Sequence, residues 1–423
     1  MKILFRLACA LVLALGAGCA TQRTPPAPRT LLLVSIDGYR HDYLSRGLSP
    51  TLAALARDGV QASMQPSFPS LTFPNHYTLV TGLRPDRHGV VNNTMFDPAL
   101  GKFSLGNRQA VGDGRWWAEG TPIWETADRH GVRTATMFWP GSEADIHGHH
   151  PDYWKPYDGA VTPDQRVDQV LAWLDLPAGQ RPGFLTLYFD DVDHAGHHHG
   201  PDSPQVDDAL RRTDAAMARL VDGLRRRGLF DRIDIVVVSD HGMAGVPLAH
   251  SVKIDQLVPL DQVQVVSLGV LAGFNPASAT PAAKAAFARI EKTLEQPQAH
   301  MDCWDKTRVP ARLHYGHNPR VPQLLCSAHV GWRITTTDYL ASHQGRVSLG
   351  EHGYDNAAPS MQALFVAHGP DFRAGTTLAP FPNVDVYPLM TRLLGLPAEP
   401  NDGDAATVDA MLAPAPLRGG ALH

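Results

Sequence analysis

Apolar positions along this chain fall into short, nearly continuous runs separated by longer stretches with helical spacing. Leu31–Ile36, Phe184–Phe189 and Ile233–Val238 are these runs, each with a single polar residue, and acidic residues follow each of them: Asp37, Asp190 and, after Ser239, Asp240. Runs without alternation are strands buried on both faces, as in a parallel sheet. Between and around them, Ser49–Arg57, Pro122–His130, Pro163–Leu174 and Pro204–Arg227 carry helical patterns. This succession predicts an α/β fold with a doubly wound, mostly parallel central sheet flanked by helices. Ligands of such sheets gather beyond the carboxyl ends of the strands. Asp37, Asp193 and the Asp240-His241 pair all stand there.

From about residue 255 to 350 the pattern changes. Short apolar stretches at Val263–Leu268, Gly273–Asn275, Arg312–Tyr315 and Val330–Thr336 surround one helical stretch, Pro281–Leu294, which predicts a small α+β insertion. The core resumes with Ala363–Val366 and the helix Val384–Leu394. The expected organisation is a catalytic core of residues 31–254 and 351–412, an insertion at 255–350, a proline-rich tether at 20–30 and a flexible tail at 413–423.

The 423 residues exceed what one simple core usually holds, in keeping with a large unit plus insertion. A hydrophobic fraction of 43% and a net charge of −5 leave no basic surface for nucleic acid or anionic lipid. Lys2 and Arg6 precede the apolar run Leu7–Leu15, and small residues lead to Cys19, so residues 1–19 read as an export signal. Lipid attachment at Cys19 and ordinary cleavage both remain open, and either implies a periplasmic or envelope-anchored protein. Cys303 and Cys326 are then the pair left in the folded body, and an oxidising compartment predicts that they form a disulfide.

The candidate chemistry begins with Thr72, in Ser67-Phe-Pro-Ser-Leu-Thr-Phe-Pro-Asn-His-Tyr77, where a helix is expected to start. Alone it reads as a helix cap, and Asp37 alone as a turn carboxylate. Together with Asp193, His197, Asp240, His241 and His352 they read as ligands for two zinc ions, which suit nitrogen and carboxylate donors. Asp193, His197 and His352 form one group, and Asp37, Thr72, Asp240 and His241 the other. Two ions of this kind can stabilise the attacking and leaving oxygens of an in-line phosphoryl transfer, and a hydroxyl at such a site becomes a nucleophile. Asn93 offers a neutral donor beside a helix start able to hold a phosphate oxygen. His147, His149, His150, His194, His198 and His199 read as solvated or supporting residues, and Trp116, Trp117, Trp124 and Trp139 as core or cleft wall.

These residues stand in longer text: Val34-Ser-Ile-Asp-Gly38, Thr72-Phe-Pro-Asn-His-Tyr77, Asn93-Thr-Met-Phe-Asp-Pro98, Phe138-Trp-Pro-Gly-Ser142, Asp193-His-Ala-Gly-His197, Ser239-Asp-His-Gly-Met243 and His352-Gly-Tyr354. The ordered set, over roughly residues 30–412, resembles the nucleotide pyrophosphatase/phosphodiesterases of the alkaline phosphatase superfamily, especially the bacterial members. The resemblance implies an alkaline-phosphatase-like fold, the two-zinc ligand division above, and Thr72 as both ligand and nucleophile. It implies that Asn93 and the Phe73 amide hold the phosphoryl oxygen. It also implies that nucleoside triphosphates, dinucleotides and other nucleotide diesters are cleaved through a nucleotidyl-threonine to nucleoside 5′-monophosphates. Phe73 and Tyr157 would stack the base, with Leu105 and Tyr188 lining the pocket. The alternatives are a phosphomonoesterase or choline-phospholipid phosphodiesterase of the same fold, or an envelope protein that binds zinc or nucleotide without turnover.

Overall fold

Leu31–Ile36 lies in the middle of a nine-stranded sheet. Its order is Thr376–Thr377, Val60–Gln65, Ala363–His368, Asp234–Val238, Leu31–Ile36, Phe184–Phe189, Thr134–Met137 and Tyr153–Lys155, with Phe381–Pro382 also beside Val60–Gln65. This computed structural model describes residues 30–343 and 346–414. The expected export segment with Cys19, nearly all of the tether and most of the tail lie outside the described residues. No helix among the described residues is long and apolar enough to cross a membrane.

The sheet is mostly parallel, as the nearly continuous apolar runs predict. Leu31–Ile36 pairs in parallel with both Phe184–Phe189 and Asp234–Val238, and Thr134–Met137 pairs in parallel with Phe184–Phe189 and Tyr153–Lys155. Ala363–His368 runs antiparallel between Val60–Gln65 and Asp234–Val238. Every residue of Leu31–Ile36 is buried because alternate side chains enter different cores. Leu31 and Leu33 join the cluster that contains Tyr77, Val80, Trp117 and Leu389. Leu32, Val34 and Ile36 join the cluster built on Leu52, Val170, Leu210 and Leu220.

The helices end close to where their caps place them. Thr162 opens Pro163–Leu174 with a reciprocal capping box through Gln165. Ser203 caps Pro204–Arg226, and proline stands at the first turn of both, where its missing N–H costs nothing. The third core is a separate four-stranded antiparallel sheet, in the order Val263–Ser267, Leu271–Pro276, Leu324–Ala328 and Met301–Asp305, covered by the helix Pro281–Leu294. Cys303 and Cys326 face one another across its last two strands and form the expected disulfide. Two of the apolar stretches in this region are not strands along their length. Arg312–Tyr315 is a turn around Ala311–Leu313 that ends at His314 with φ +49°, and Val330–Thr336 shortens to the strand Arg333–Thr335.

Candidate active site

Parallel register brings the strand ends to one place. Ile36 lies opposite Phe189 and Ser35 opposite Val238, so the residues that follow, Asp37, Asp190 and Asp240, leave the same edge of the sheet. Gly38 turns the chain there with φ +67°, and a Cβ on it would stand 2.9 Å from the Asp193 Cα, a close approach only glycine allows. Asp193 and His197 sit one turn apart on the helix Asp191–His199, hence on the same face. His352 follows the strand Gly350–Glu351, which pairs with Ala244–Gly245 just beyond His241. Thr72 is the first residue of the helix Thr72–Thr81.

The side chains converge in two groups. Thr72 Oγ1 lies 3.2 Å from His241 Nε2, and that nitrogen lies 3.0 Å from Asp240 Oδ2 and 3.4 Å from Asp37 Oδ1. In the second group His352 Nε2 is 3.1 Å from His197 Nε2, and Asp193 Oδ1 is 3.5 Å from His197 Nε2 and 3.7 Å from His352 Nε2. The rings of His241 and His352 stack with centroids 3.5 Å apart, so the groups adjoin.

The donor chemistry suits cations. His197 Nδ1–H donates to Gly350 O at 2.7 Å, His241 Nδ1–H to Gly242 O at 2.9 Å and His352 Nδ1–H to Ser70 O at 2.9 Å. A carbonyl only accepts, so each ring is protonated at Nδ1 and turns the Nε2 lone pair inward, the usual outer support of a metal-ligating histidine. Asp37 Oδ1, Asp193 Oδ1 and Asp240 Oδ2 are buried without a hydrogen-bond donor, which is costly unless a positive charge meets them. The second carboxylate oxygens of two of them are held in place: Tyr188 donates to Asp37 Oδ2 at 2.6 Å and the Gly38 N–H to Asp240 Oδ1 at 3.3 Å.

Crowding leaves its mark on the protonation of these groups. Burial, with Asp240 and Asp193 close by, pushes the Asp37 carboxyl well above the usual range. Burial also opposes charge on Asp240, but the His241 and His76 rings beside it hold its carboxyl well below that range. Burial and the neighbouring His241 and His197 push His352 well down, toward the neutral ring a ligand needs.

His76 was not foreseen as part of this cluster. Its ring adjoins Asp37 and Asp240 closely enough to form a ligand group with them, as Asp193 does with His241 and His352. Both of its nitrogens are engaged, however: Nδ1–H donates to Thr72 O at 2.9 Å and Nε2 accepts from Ser35 Oγ at 2.8 Å. It therefore fastens the Thr72 helix to the central strand. Of the other histidines, His147 pairs with Glu125, His149 with Asp128, and His150 stacks on Trp154.

A cavity of about 240 Å³ opens beside Thr72, and Phe73, Leu105, Tyr157 and Tyr188 all line it. Phe73 packs against Phe103 and Trp117. Tyr157 is set by its backbone N–H, which donates to Glu143 at 3.0 Å, and by its hydroxyl, which donates to Asp190, itself held by the buried Arg166 at 2.9 Å. Phe138 also lines the wall, with φ +64°, a conformation that no apolar pattern announces. Trp116, Trp117 and Trp124 are core and Trp139 is cleft wall. One detail departs from expectation: the Phe73 N–H donates to Asn93 Oδ1 at 2.9 Å. The two expected phosphoryl donors are thus joined to one another, and Asn93 Nδ2 is the donor that side chain keeps.

The sequence model of the family described as Type I phosphodiesterase / nucleotide pyrophosphatase matches residues 31–355. Mouse ectonucleotide pyrophosphatase/phosphodiesterase family member 1 is 36% identical over 408 residues, 93% of this chain, which spans 44% of that longer protein. The bis(5′-adenosyl)-triphosphatase enpp4 of Xenopus laevis is 34% identical over 386 residues, covering 90% of this chain and 81% of the relative. Among solved structures, an inactive form of murine ectonucleotide pyrophosphatase/phosphodiesterase 5 in complex with AMP superposes with a TM-score of 0.85 at 32% identity. That match covers 91% of this chain and 100% of the other.

Proposed function

The chain belongs to the type I phosphodiesterase / nucleotide pyrophosphatase family of hydrolases with an alkaline-phosphatase-like fold, and from that premise we propose that it hydrolyses nucleotide phosphodiester and pyrophosphate bonds through Thr72. The observation that carries this is the gathering of three orphaned carboxylate oxygens and three inward-facing Nε2 atoms into two adjoining groups, one of which holds the Thr72 hydroxyl against His241, beside an aromatic-lined cavity. Asp193, His197 and His352 would hold one Zn²⁺, and Asp37, Asp240, His241 and Thr72 the other. Two such ions, when bound, would neutralise the buried carboxylates and supply positive charge for the attacking and leaving oxygens.

The chain's own residues do the rest. Thr72 Oγ forms a bond to phosphorus as the bond to the leaving oxygen breaks, giving a nucleotidyl-threonine. Water then forms the second bond as the Thr72–phosphorus bond breaks, and a nucleoside 5′-monophosphate leaves. Asn93 Nδ2 donates to a non-bridging oxygen, and the positive end of the Thr72 helix dipole faces the same charge. His76 keeps that helix start fixed against the central strand, and Tyr188 orients Asp37. Phe73 and Tyr157 hold the nucleobase by stacking, with Leu105 at the cavity mouth and Tyr188 at its floor.

We place residues 31–254 and 351–412 in the catalytic unit, with 255–350 inserted. The composition of residues 1–19 supports export to the periplasm or envelope, with Cys19 available for a lipid anchor, and the Cys303–Cys326 disulfide suits an oxidising compartment. Nucleoside triphosphates and dinucleotides are the proposed substrates, in line with relatives described as a bis(5′-adenosyl)-triphosphatase and as bound to AMP.

The test compares the p-nitrophenyl ester of a nucleoside 5′-monophosphate with p-nitrophenyl phosphate. A strong diester preference is expected, and preference for the monoester would overturn the substrate class. Phe73→Ala is expected to raise KM for the nucleotide ester roughly tenfold or more, the worth of one stacked base, and to leave bis-p-nitrophenyl phosphate nearly unchanged. Equal effects on both would remove the stacking role.

A further inference from the structure

The helix Asp191–His199 separates two openings. Asp193 and His194 line the nucleobase cavity, whereas His197 and His198, one turn later, line a second groove of about 440 Å³ that shares no residue with the first. His197 belongs to both the reacting centre and this groove: its Nε2 faces His352 and Asp193, while its Nδ1 is held by Gly350 O and by Ser348 Oγ, the latter from the groove wall.

We propose that this second groove binds the leaving half of the substrate, the nucleoside polyphosphate displaced from phosphorus, so that a dinucleoside polyphosphate straddles the helix with one nucleoside on each side. The assignment rests on the function proposed above and deepens it. Thr72 approaches phosphorus from the Asp37, Asp240 and His241 side, so an in-line displacement sends the leaving oxygen toward Asp193, His197 and His352. His197 is where that group meets the groove.

The chemistry of the groove matches such an occupant. Among its described lining residues there is no carboxylate, in contrast to the nucleobase cavity with Asp37, Glu143, Asp190 and Asp193. Arg346 lines it, and among the described residues its guanidinium has no hydrogen-bond or ion-pair partner, so its donors are open to phosphate oxygens. The Tyr339 ring stacks on His343 with centroids 4.1 Å apart and is still 44% exposed, and Leu248 and Leu349, which line the same groove, are 53% and 43% exposed. An exposed aromatic with two aliphatic neighbours is a surface on which a second base can lie. The volume is that of an ordinary ligand site, where roughly 300–1,000 Å³ is usual.

The experiment measures KM and kcat of wild type, Arg346→Gln and Tyr339→Ala on three substrates: the p-nitrophenyl ester of AMP, ATP, and bis(5′-adenosyl) triphosphate. The ester has a short uncharged leaving group and reports folding and basal chemistry. Arg346→Gln is expected to raise KM for ATP and the dinucleotide roughly tenfold, the worth of a charge-assisted contact. Tyr339→Ala is expected to raise KM for the dinucleotide alone by roughly the same factor, and neither variant should change the ester. An unchanged KM for the dinucleotide in either variant overturns the proposal, as does an equal shift for the ester. A wild type that turns over none of the three refutes the parent function, and the groove assignment with it.

Discussion

Thr72→Ala is expected to lower kcat for the p-nitrophenyl ester of a nucleoside 5′-monophosphate by roughly 10³-fold or more, the scale on which loss of a covalent nucleophile is felt. The argument is local. The hydroxyl donates to His241 Nε2 at 3.2 Å, and among the described residues no other hydroxyl hydrogen-bonds to that ring. Removing it leaves the helix backbone intact, because the helix is held by His76, by the Asn75 N–H to Leu71 O bond and by the Phe73 N–H to Asn93 bond. Stability should therefore change by no more than about 1 kcal/mol. KM should stay close to the wild-type value, since Phe73, Tyr157 and the cavity are untouched. Retained turnover in the alanine variant, with Thr72→Ser no better, would assign the nucleophile elsewhere.

The second large effect is expected at Asp240. Its Oδ2 is one of the orphaned oxygens, 3.0 Å from His241 Nε2, while Oδ1 is fixed by the Gly38 N–H. Asp240→Asn places an amide where a cation is to be held, and should lower turnover roughly 10²-fold or more, beyond the cost usual for residues that only support a metal ligand. A readout other than activity separates this from general damage. Wild type should melt higher with excess Zn²⁺ than with chelator, by about 2.7 kcal/mol of stability at a hundredfold excess over Kd. The variant should show a smaller shift and bind less zinc by direct metal analysis. In chelator it should be less stable than wild type near neutral pH, because the His241 and His76 rings that hold the Asp240 carboxyl well below the usual range lose their ionised partner. Equal zinc content and equal shifts in the two proteins would remove Asp240 from the ligand set.

Much of this site was legible in the sequence because the signals that carry it are local. Six-residue runs with a single polar residue before Asp37 or Asp190 specify a doubly buried strand, and a parallel sheet then forces the acids that follow to one edge. The spacing of Asp193 and His197 fixes a shared helical face. What escaped notice depends on contacts between distant segments. His76 reads as an ordinary buried helix residue, and only the packing of that helix against Ser35 reveals its two hydrogen bonds. Phe138 enters the cavity wall through a left-handed backbone conformation set by its surroundings. Arg166 and Asp190, which fix Tyr157, look like a surface helix and a turn until burial shows otherwise.

The secondary sheet shows the same limit. Met301–Asp305 and Leu324–Ala328 mix polar, sulfur and apolar residues without period two, yet they are the strands that carry the disulfide. Their pairing is decided by partners more than twenty residues away, while Arg312–Tyr315, with a more apolar look, is a turn. Val60–Gln65 alternates apolar and polar residues, the pattern of a half-buried strand that continuous apolar runs do not capture, and it pairs along the antiparallel Ala363–His368. Edge positions are set by such neighbours more than by intrinsic propensity.

The most direct test of catalysis through Thr72 is the stereochemistry at phosphorus. A nucleoside 5′-phosphorothioate diester of one configuration, hydrolysed in isotopically labelled water, reports how many displacements occur. Attack by Thr72 followed by attack of water gives two inversions, so net retention is the predicted result, whether or not the intermediate accumulates. Net inversion would mean a single direct attack by water and would contradict the account.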